Sequence, residues 1–231
     1  MPPIQPPIQP PIQAILFDAY GTLLDVHGAM QRHADRLPPD WERISAEWRV
    51  KQLEYSWVNS LTGAGHRDFW RITQDALEFV AARHRITDPD VLAQLLDAYR
   101  HLPAYKDAAP TLSRLRDRGV RCAILSNGEP GMLADAVRSA RLAPLLEAVL
   151  SIEDVGVFKP DPRVYAMAVQ RLGLAADRIG FVSSNPWDAQ AAVTAGFRVF
   201  WCNRVGQPPE YGLTATATEL PGLSALPDLL A

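Results

Sequence analysis

The chain has 231 residues, with 23 Lys and Arg against 26 Asp and Glu, a net charge of −3 and a pI near 5.9. A balance this even excludes a general nucleic-acid or anionic-membrane binder, so an anionic substrate has to be met by a few local cations. No apolar run approaches the ~18 residues of a membrane span, and the start has neither a basic region nor an apolar signal core. A soluble, unexported protein is expected. The two cysteines, Cys122 and Cys202, each sit in a strand-like apolar run without metal-ligand spacing, and read as buried free thiols of a reducing cytoplasm.

Residues 2–13 are three copies of Pro-Pro-Ile-Gln, which cannot form a helix and offer little apolar surface, so residues 1–13 are expected to form an extended or disordered tail. The third copy is placed to run into a strand, since Ile12 alternates with Ala14. Ala14-Ile15-Leu16-Phe17 then reads as a buried parallel strand whose carboxyl end presents Asp18 to a crevice, followed by Tyr20, Gly21 and Thr22. Taken alone, such a string is more often an Asp that merely ends a strand in a turn.

Past Asp25 the periodicity is helical until the next strand-like run at 120–125, far longer than the ~2–6 residues that usually join a strand to a helix. Residues 26–106 are therefore expected to be an inserted helical cap, with 14–25 and 107–231 forming the core. The longest cap helix should start near Asp40 as N-cap and bury Ile44, Leu53, Trp57 and Leu61. Two more are suggested by Phe69, Ile72, Ala76 and Val80, and by Leu92, Leu95, Leu96 and Tyr99. Arg49 lies along the first stripe without a carboxylate three or four residues away, so an acid elsewhere in the fold or an anionic ligand has to meet it.

From Asp107 strands and helices alternate. A helix ending at Gly119 precedes the strand Val120–Leu125, which delivers Ser126-Asn127-Gly128 to a helix beginning at Pro130, an arrangement suited to holding an anion at a positive helix end. A further strand near Ala148–Leu150 leads to Lys159, before a helix with Pro162 in its first turn and Tyr165 one turn on. The strand ending at Ser183 precedes Asn185, placed to cap a helix that starts at Pro186, with Trp187 and Asp188 in its first turn.

Asp-Ala-Tyr-Gly-Thr, the Trp48–Tyr55 segment, Leu-Ser-Asn-Gly, Phe-Lys-Pro, Ser-Ser-Asn-x-Trp-Asp and the run Phe197–Arg204 resemble, in order, motifs of the L-2-haloacid dehalogenase branch of the haloacid dehalogenase superfamily. The resemblance spans residues 14–204 and leaves the Thr-, Ala- and Pro-rich remainder unread. It implies an α/β fold, a Rossmann-like parallel sheet with an inserted helical-bundle cap, and a homodimer. It also implies that Asp18 is the nucleophile and that Lys159 pairs with it. Arg49, with Asn127 and Phe69, would receive halide, although Val50 stands where relatives carry glutamine. Ser126 would hold the substrate carboxylate, and Tyr165, beside the lysine, would be a further substrate contact.

A phosphatase of this fold needs an acid two residues after the nucleophile and a carboxylate cluster for Mg²⁺. Here those places hold Tyr20 and the neutral Ser183-Ser184-Asn185. A halide leaves without a proton, and a monocarboxylate can be bound without a metal, so no cofactor is expected. The expected reaction is displacement of halide from a small 2-haloacid by Asp18, then hydrolysis of the ester by water that Asp188 activates and Lys159, Ser183 and Asn185 orient. Thr22 would fix Asp18, while Tyr20, Leu53 and Trp187 would exclude bulk water. A Mg²⁺-dependent phosphatase, a hydrolase opening a small nitrogen heterocycle and a silent binding domain remain as alternatives.

Overall fold

The computed structural model describes residues 10–63 and 65–230, so the expectation for the first nine residues of the tail lies outside the described residues. Gln13 extends the pairing of the first strand by one residue: its N–H donates to Arg178 O, and Arg121 N–H donates to its carbonyl. Strands β1 (Ala14–Phe17), β2 (Arg121–Ser126), β3 (Ala148–Ser151), β4 (Ile179–Ser183), β5 (Arg198–Cys202) and β6 (Ala217–Leu220) form one sheet in the order β3-β2-β1-β4-β5-β6. All neighbouring pairs are parallel.

β1 is buried on both faces, which is why its sequence is continuously apolar rather than alternating. Phe17 is in register with Ile124 of β2 on one side and Val182 of β4 on the other. The chain crosses to the far side of β1 between β3 and β4, so Asp18 leaves the sheet at the switch point where open α/β sheets place ligands. Cys122 and Cys202 are free and buried in β2 and β5, and burial pushes their thiols up to about 12 and about 11.

Between β1 and β2 stand α1 (Gly28–Gln31), α2 (Trp41–Thr62), α3 (Phe69–His84) and α4 (Pro89–Arg100), the helical cap, followed by α5 (Ala108–Asp117). The expected inner faces of α3 and α4 are there: Phe69, Ile72, Ala76 and Val80 are buried, as are Leu95 and Tyr99. α2 differs. Its buried residues are Ile44, Ser45, Trp48, Gln52 and Ser56, whereas Leu53 and Trp57 are partly exposed and Leu61 is 86% exposed. The inner face carries polar side chains that find partners there. Gln52 Nε2 donates to Thr73 Oγ1, Tyr99 Oη donates to Gln52 Oε1, and Trp48 Nε1 donates to Thr73 O. Asp40 occupies the N-cap position of α2 but makes no side-chain capping bond and pairs with Arg43 instead.

The remaining helices are α6 (Pro130–Ser139), α7 (Pro162–Leu172), α8 (Pro186–Thr194) and α9 (Leu213–Thr216). The stretch after Arg204, unread in the sequence, supplies the edge strand β6 and a 3₁₀ turn over Leu223–Leu230 that packs on α5, with Leu223 and Leu226 buried. Thr218 and Glu219 of β6 face outward, as suits a short polar edge.

Candidate active site

Three parallel strands end side by side, so the loops after β1, β2 and β4 converge, and the loop before α7 closes the group. Asp18 stays in line with the sheet because its N–H donates to Val182 O. Its Oδ2 accepts from Asn185 Nδ2 at 3.0 Å and from Thr22 Oγ1 at 3.2 Å. Among the described residues its Oδ1 meets only Lys159 Nζ, at 3.4 Å. One carboxylate oxygen is thus held and the other is nearly free. Thr22 Oγ1 in turn accepts from Ser184 N–H at 2.8 Å. Gly21 makes this close approach with φ +94°, where a Cβ would sit 3.1 Å from Ser184 Oγ.

Lys159 is the shared cation. Its ammonium, 1% exposed, lies 3.0 Å from Asp188 Oδ2 as well as beside Asp18, and sits over the Phe181 ring. Asp188 is fully buried and accepts from Tyr165 Oη at 2.6 Å on its other oxygen. Burial raises the Asp188 carboxyl above the usual carboxylate range, opposed first by Lys159 and reinforced by Asp18. Burial, and then the Asp188 charge, push the Tyr165 phenol well above its ordinary value, so it stays protonated and donates. Tyr165, expected among the substrate contacts, gives its hydroxyl to Asp188.

On the cap side, Arg49 Nη2 donates to the Tyr20 carbonyl at 3.3 Å, two residues beyond Asp18, and among the described residues Arg49 forms no salt bridge. The Tyr20 ring stacks on Tyr99 at 5.6 Å and lies 6.2 Å from the Phe69 ring. Arg49, Tyr20 and Phe69 are therefore brought together. Val50 is 58% exposed. Leu53, one turn past Arg49, is partly exposed and stands outside the hydrophobic core. Trp187 packs edge-on against Trp57 of the cap at 5.4 Å.

Two local expectations change. Asn185 stands at the N-cap of α8 without capping it, because its side chain turns to Asp18 while its own N–H donates to Ser183 Oγ. At α6, Glu129 caps the helix with its own carboxylate, accepting from Gly131 N–H and Met132 N–H, so that helix end is already filled. Ser126 and Asn127 serve the loops: Ser126 Oγ accepts from Gly128 N–H, and Asn127 Oδ1 accepts from Lys159 N–H at 2.9 Å. Asn127 thereby holds the backbone that carries Lys159.

Sequence reasoning missed Ser184, which fixes Thr22, and the Gln52–Thr73–Tyr99 set behind Arg49. The signal for the latter was a threonine, Thr73, on the otherwise apolar stripe of α3. Among the described residues no three His, Cys, Asp or Glu side chains are grouped to hold a metal. Asp18 and Asp188 are bridged by an ammonium, and the other nearby donors are neutral, a poor set for a divalent cation. What the arrangement offers is a buried carboxylate with one lightly held oxygen, a buried second carboxylate positioned by a phenol, and a half-buried guanidinium on the cap beside the Tyr20 carbonyl.

A family model described as haloacid dehalogenase-like hydrolase matches residues 12–196. The chain is 44% identical over 219 residues to (S)-2-haloacid dehalogenase 4A of Burkholderia cepacia, covering 94% of each chain. It superposes on a solved dehalogenase with TM-score 0.92 at 43% identity, covering 95% of this chain and 97% of the other. It also superposes on the L-2-haloacid dehalogenase of Xanthobacter autotrophicus, solved with chloropropionic acid covalently bound, with TM-score 0.87 at 35% identity over 95% and 98% of the two chains.

Proposed function

Because the chain belongs to the haloacid dehalogenase-like hydrolases, we propose that it cleaves the carbon–halogen bond of short L-2-haloalkanoic acids, giving D-2-hydroxy acids through an ester on Asp18. The observation that carries this reading is the environment of Asp18. Its Oδ2 is held by Thr22 and Asn185, its Oδ1 is left to Lys159, and no acid stands at Tyr20 to protonate a leaving oxygen.

In the first step Asp18 Oδ1 attacks the α-carbon opposite the halogen. The C–O bond forms, the C–X bond breaks with its electron pair, and configuration inverts. Arg49 receives the halide, since its fork lies over the loop beside Asp18 and is free of any acid among the described residues. In the second step water attacks the ester carbonyl carbon and gives a proton to Asp188. The acyl–oxygen bond then breaks, the leaving alkoxide takes the proton of the newly added hydroxyl to give the hydroxy acid, the Asp18 carboxylate returns, and Asp188 gives its proton to solvent. Lys159 and Asn185 steady the charge on Asp18 through both steps, Ser183 orders the Asn185 backbone, and Ser126, at the end of β2, is assigned to the substrate carboxylate. The relative with chloropropionic acid covalently bound supports the ester.

The neutral donor set supports a metal-independent reaction. Residues 26–106 act as the cap over a core of 14–25 and 107–231, and the two buried thiols fit a cytoplasmic setting. A homodimer is supported by the outward side of α2, where Val50, Val58 and Leu61 are exposed, and by an open groove of about 1070 Å³ lined by Trp57, Leu61, Trp187 and Tyr211. Halide release from each enantiomer of 2-chloropropionate, beside fluoroacetate and a phosphate ester, tests the reading. Release from the L enantiomer is expected, and turnover of the phosphate ester alone would overturn it.

A further inference from the structure

Asp18, Lys159 and Asp188 are buried, and Arg49 reaches the Tyr20 carbonyl from the cap, so the place of the cap on the core fixes how Arg49 meets Asp18. The cap is joined to the core by two chain segments that pair with each other. Asp25 N–H donates to Pro103 O and Tyr105 N–H donates to Leu23 O, both at 2.9 Å. One side chain from elsewhere in the fold reaches both segments. Arg204, just past β5, binds both oxygens of Asp107 at 2.8 and 3.0 Å on the returning segment, and lies over the Tyr105 ring at 4.1 Å. Its Nη2 also donates to the Thr22 carbonyl at 3.0 Å on the outgoing segment. Thr22 is the residue whose hydroxyl donates to Asp18.

Resting on the proposed dehalogenation, we propose that Arg204 is a positioning residue for ester formation, fastening the two hinge segments and, through Thr22, setting Asp18 against the cap-borne Arg49. Only a planar fork with several donors serves Asp107, the Thr22 carbonyl and the Tyr105 face at once, whereas an ammonium meets them one at a time. A half-buried guanidinium is a costly way to gain stability alone, and its Nε has no partner among the described residues, so register is the better account of its place. The two chemical steps depend on it differently. Ester formation needs Asp18 in register with Arg49 of the cap, whereas ester hydrolysis needs the Asp18 ester in register only with Asp188, Tyr165 and Lys159 of the core, a group that Lys159 links to Asp18 directly.

The test is Arg204→Lys, followed by rapid-quench kinetics with L-2-chloropropionate and by amide hydrogen exchange without substrate. Ester formation should slow by ~10–10²-fold, the cost expected of a small misplacement of reacting groups. Ester hydrolysis should stay within about threefold, and the Asp25 and Tyr105 amides should exchange at least ~10-fold faster while those of Leu16 and Phe17 do not change. Unchanged ester formation, or equal slowing of both steps with faster exchange at Leu16 and Phe17, overturns the inference. A wild-type enzyme that forms no ester overturns the proposed function and the inference together, whereas a normal wild type beside an unaltered variant overturns the inference alone.

Discussion

Tyr165 Oη donates to Asp188 Oδ1 at 2.6 Å, while Lys159 holds the other Asp188 oxygen at 3.0 Å. The hydroxyl lowers the Asp188 carboxyl, and burial raises it more strongly. Asp188 has to be ionised to take a proton from water, so the rate falls as pH drops through its pKa. Burial places that acidic limb above the ordinary carboxylate value, and Tyr165→Phe, which removes a stabilising donor, should move it to still higher pH and slow ester hydrolysis about 10–10²-fold. Single-turnover rates across pH check this. An acidic limb that stays put in Tyr165→Phe would separate Tyr165 from the base.

Arg49 touches the Tyr20 carbonyl and no acid among the described residues, as suits a group reserved for charge that appears only as halide departs. Arg49→Lys keeps the charge but loses the fork, and should lower turnover about 10²–10³-fold with little change in the unfolding midpoint. Near-normal turnover in Arg49→Ala would remove it from the chemistry.

Asn185 bonds Asp18 rather than its own helix, so Asn185→Ala should cost little helix stability and mainly misorient the nucleophile. A hydrogen bond to a charged group is worth ~1.5–3 kcal/mol, which corresponds to about 10–10²-fold in rate. Loss of folding stability without loss of rate would return Asn185 to a capping role.

Asp18 and Asp188 share an ammonium in place of a third carboxylate. Dehalogenation should therefore survive exhaustive chelation, and added Mg²⁺ should create no phosphatase activity. Abolition by chelator with rescue by Mg²⁺ would contradict the metal-independent account.

The strands were legible because β1, β2 and β4 are short apolar runs bounded by glycine and polar residues, and the cap because helical periodicity ran on too long for a loop. What misled was local grammar applied where tertiary partners compete. Asn185 has a cap's position and a nucleophile's partner, Asp40 has a cap's position and pairs with Arg43, and the α6 end assigned to an anion is filled by Glu129. On α2 the buried face is the polar one, because Gln52 and Trp48 find Thr73 and Tyr99 inside the cap, while Leu61 faces out. β6 was unreadable, since a four-residue edge strand with Thr218 and Glu219 outward carries almost no pattern.

The central claim is that Asp18 itself forms the bond to carbon. A single turnover in ¹⁸O-water with enzyme in excess distinguishes the routes, read by mass spectrometry of the Asp18 peptide and of the product. Attack by water on the ester carbonyl puts the label into Asp18 and leaves the first product hydroxyl unlabelled, which is the predicted result. Label found at once in the hydroxy acid, with Asp18 unlabelled, would mean that water displaces the halide directly and would contradict the account.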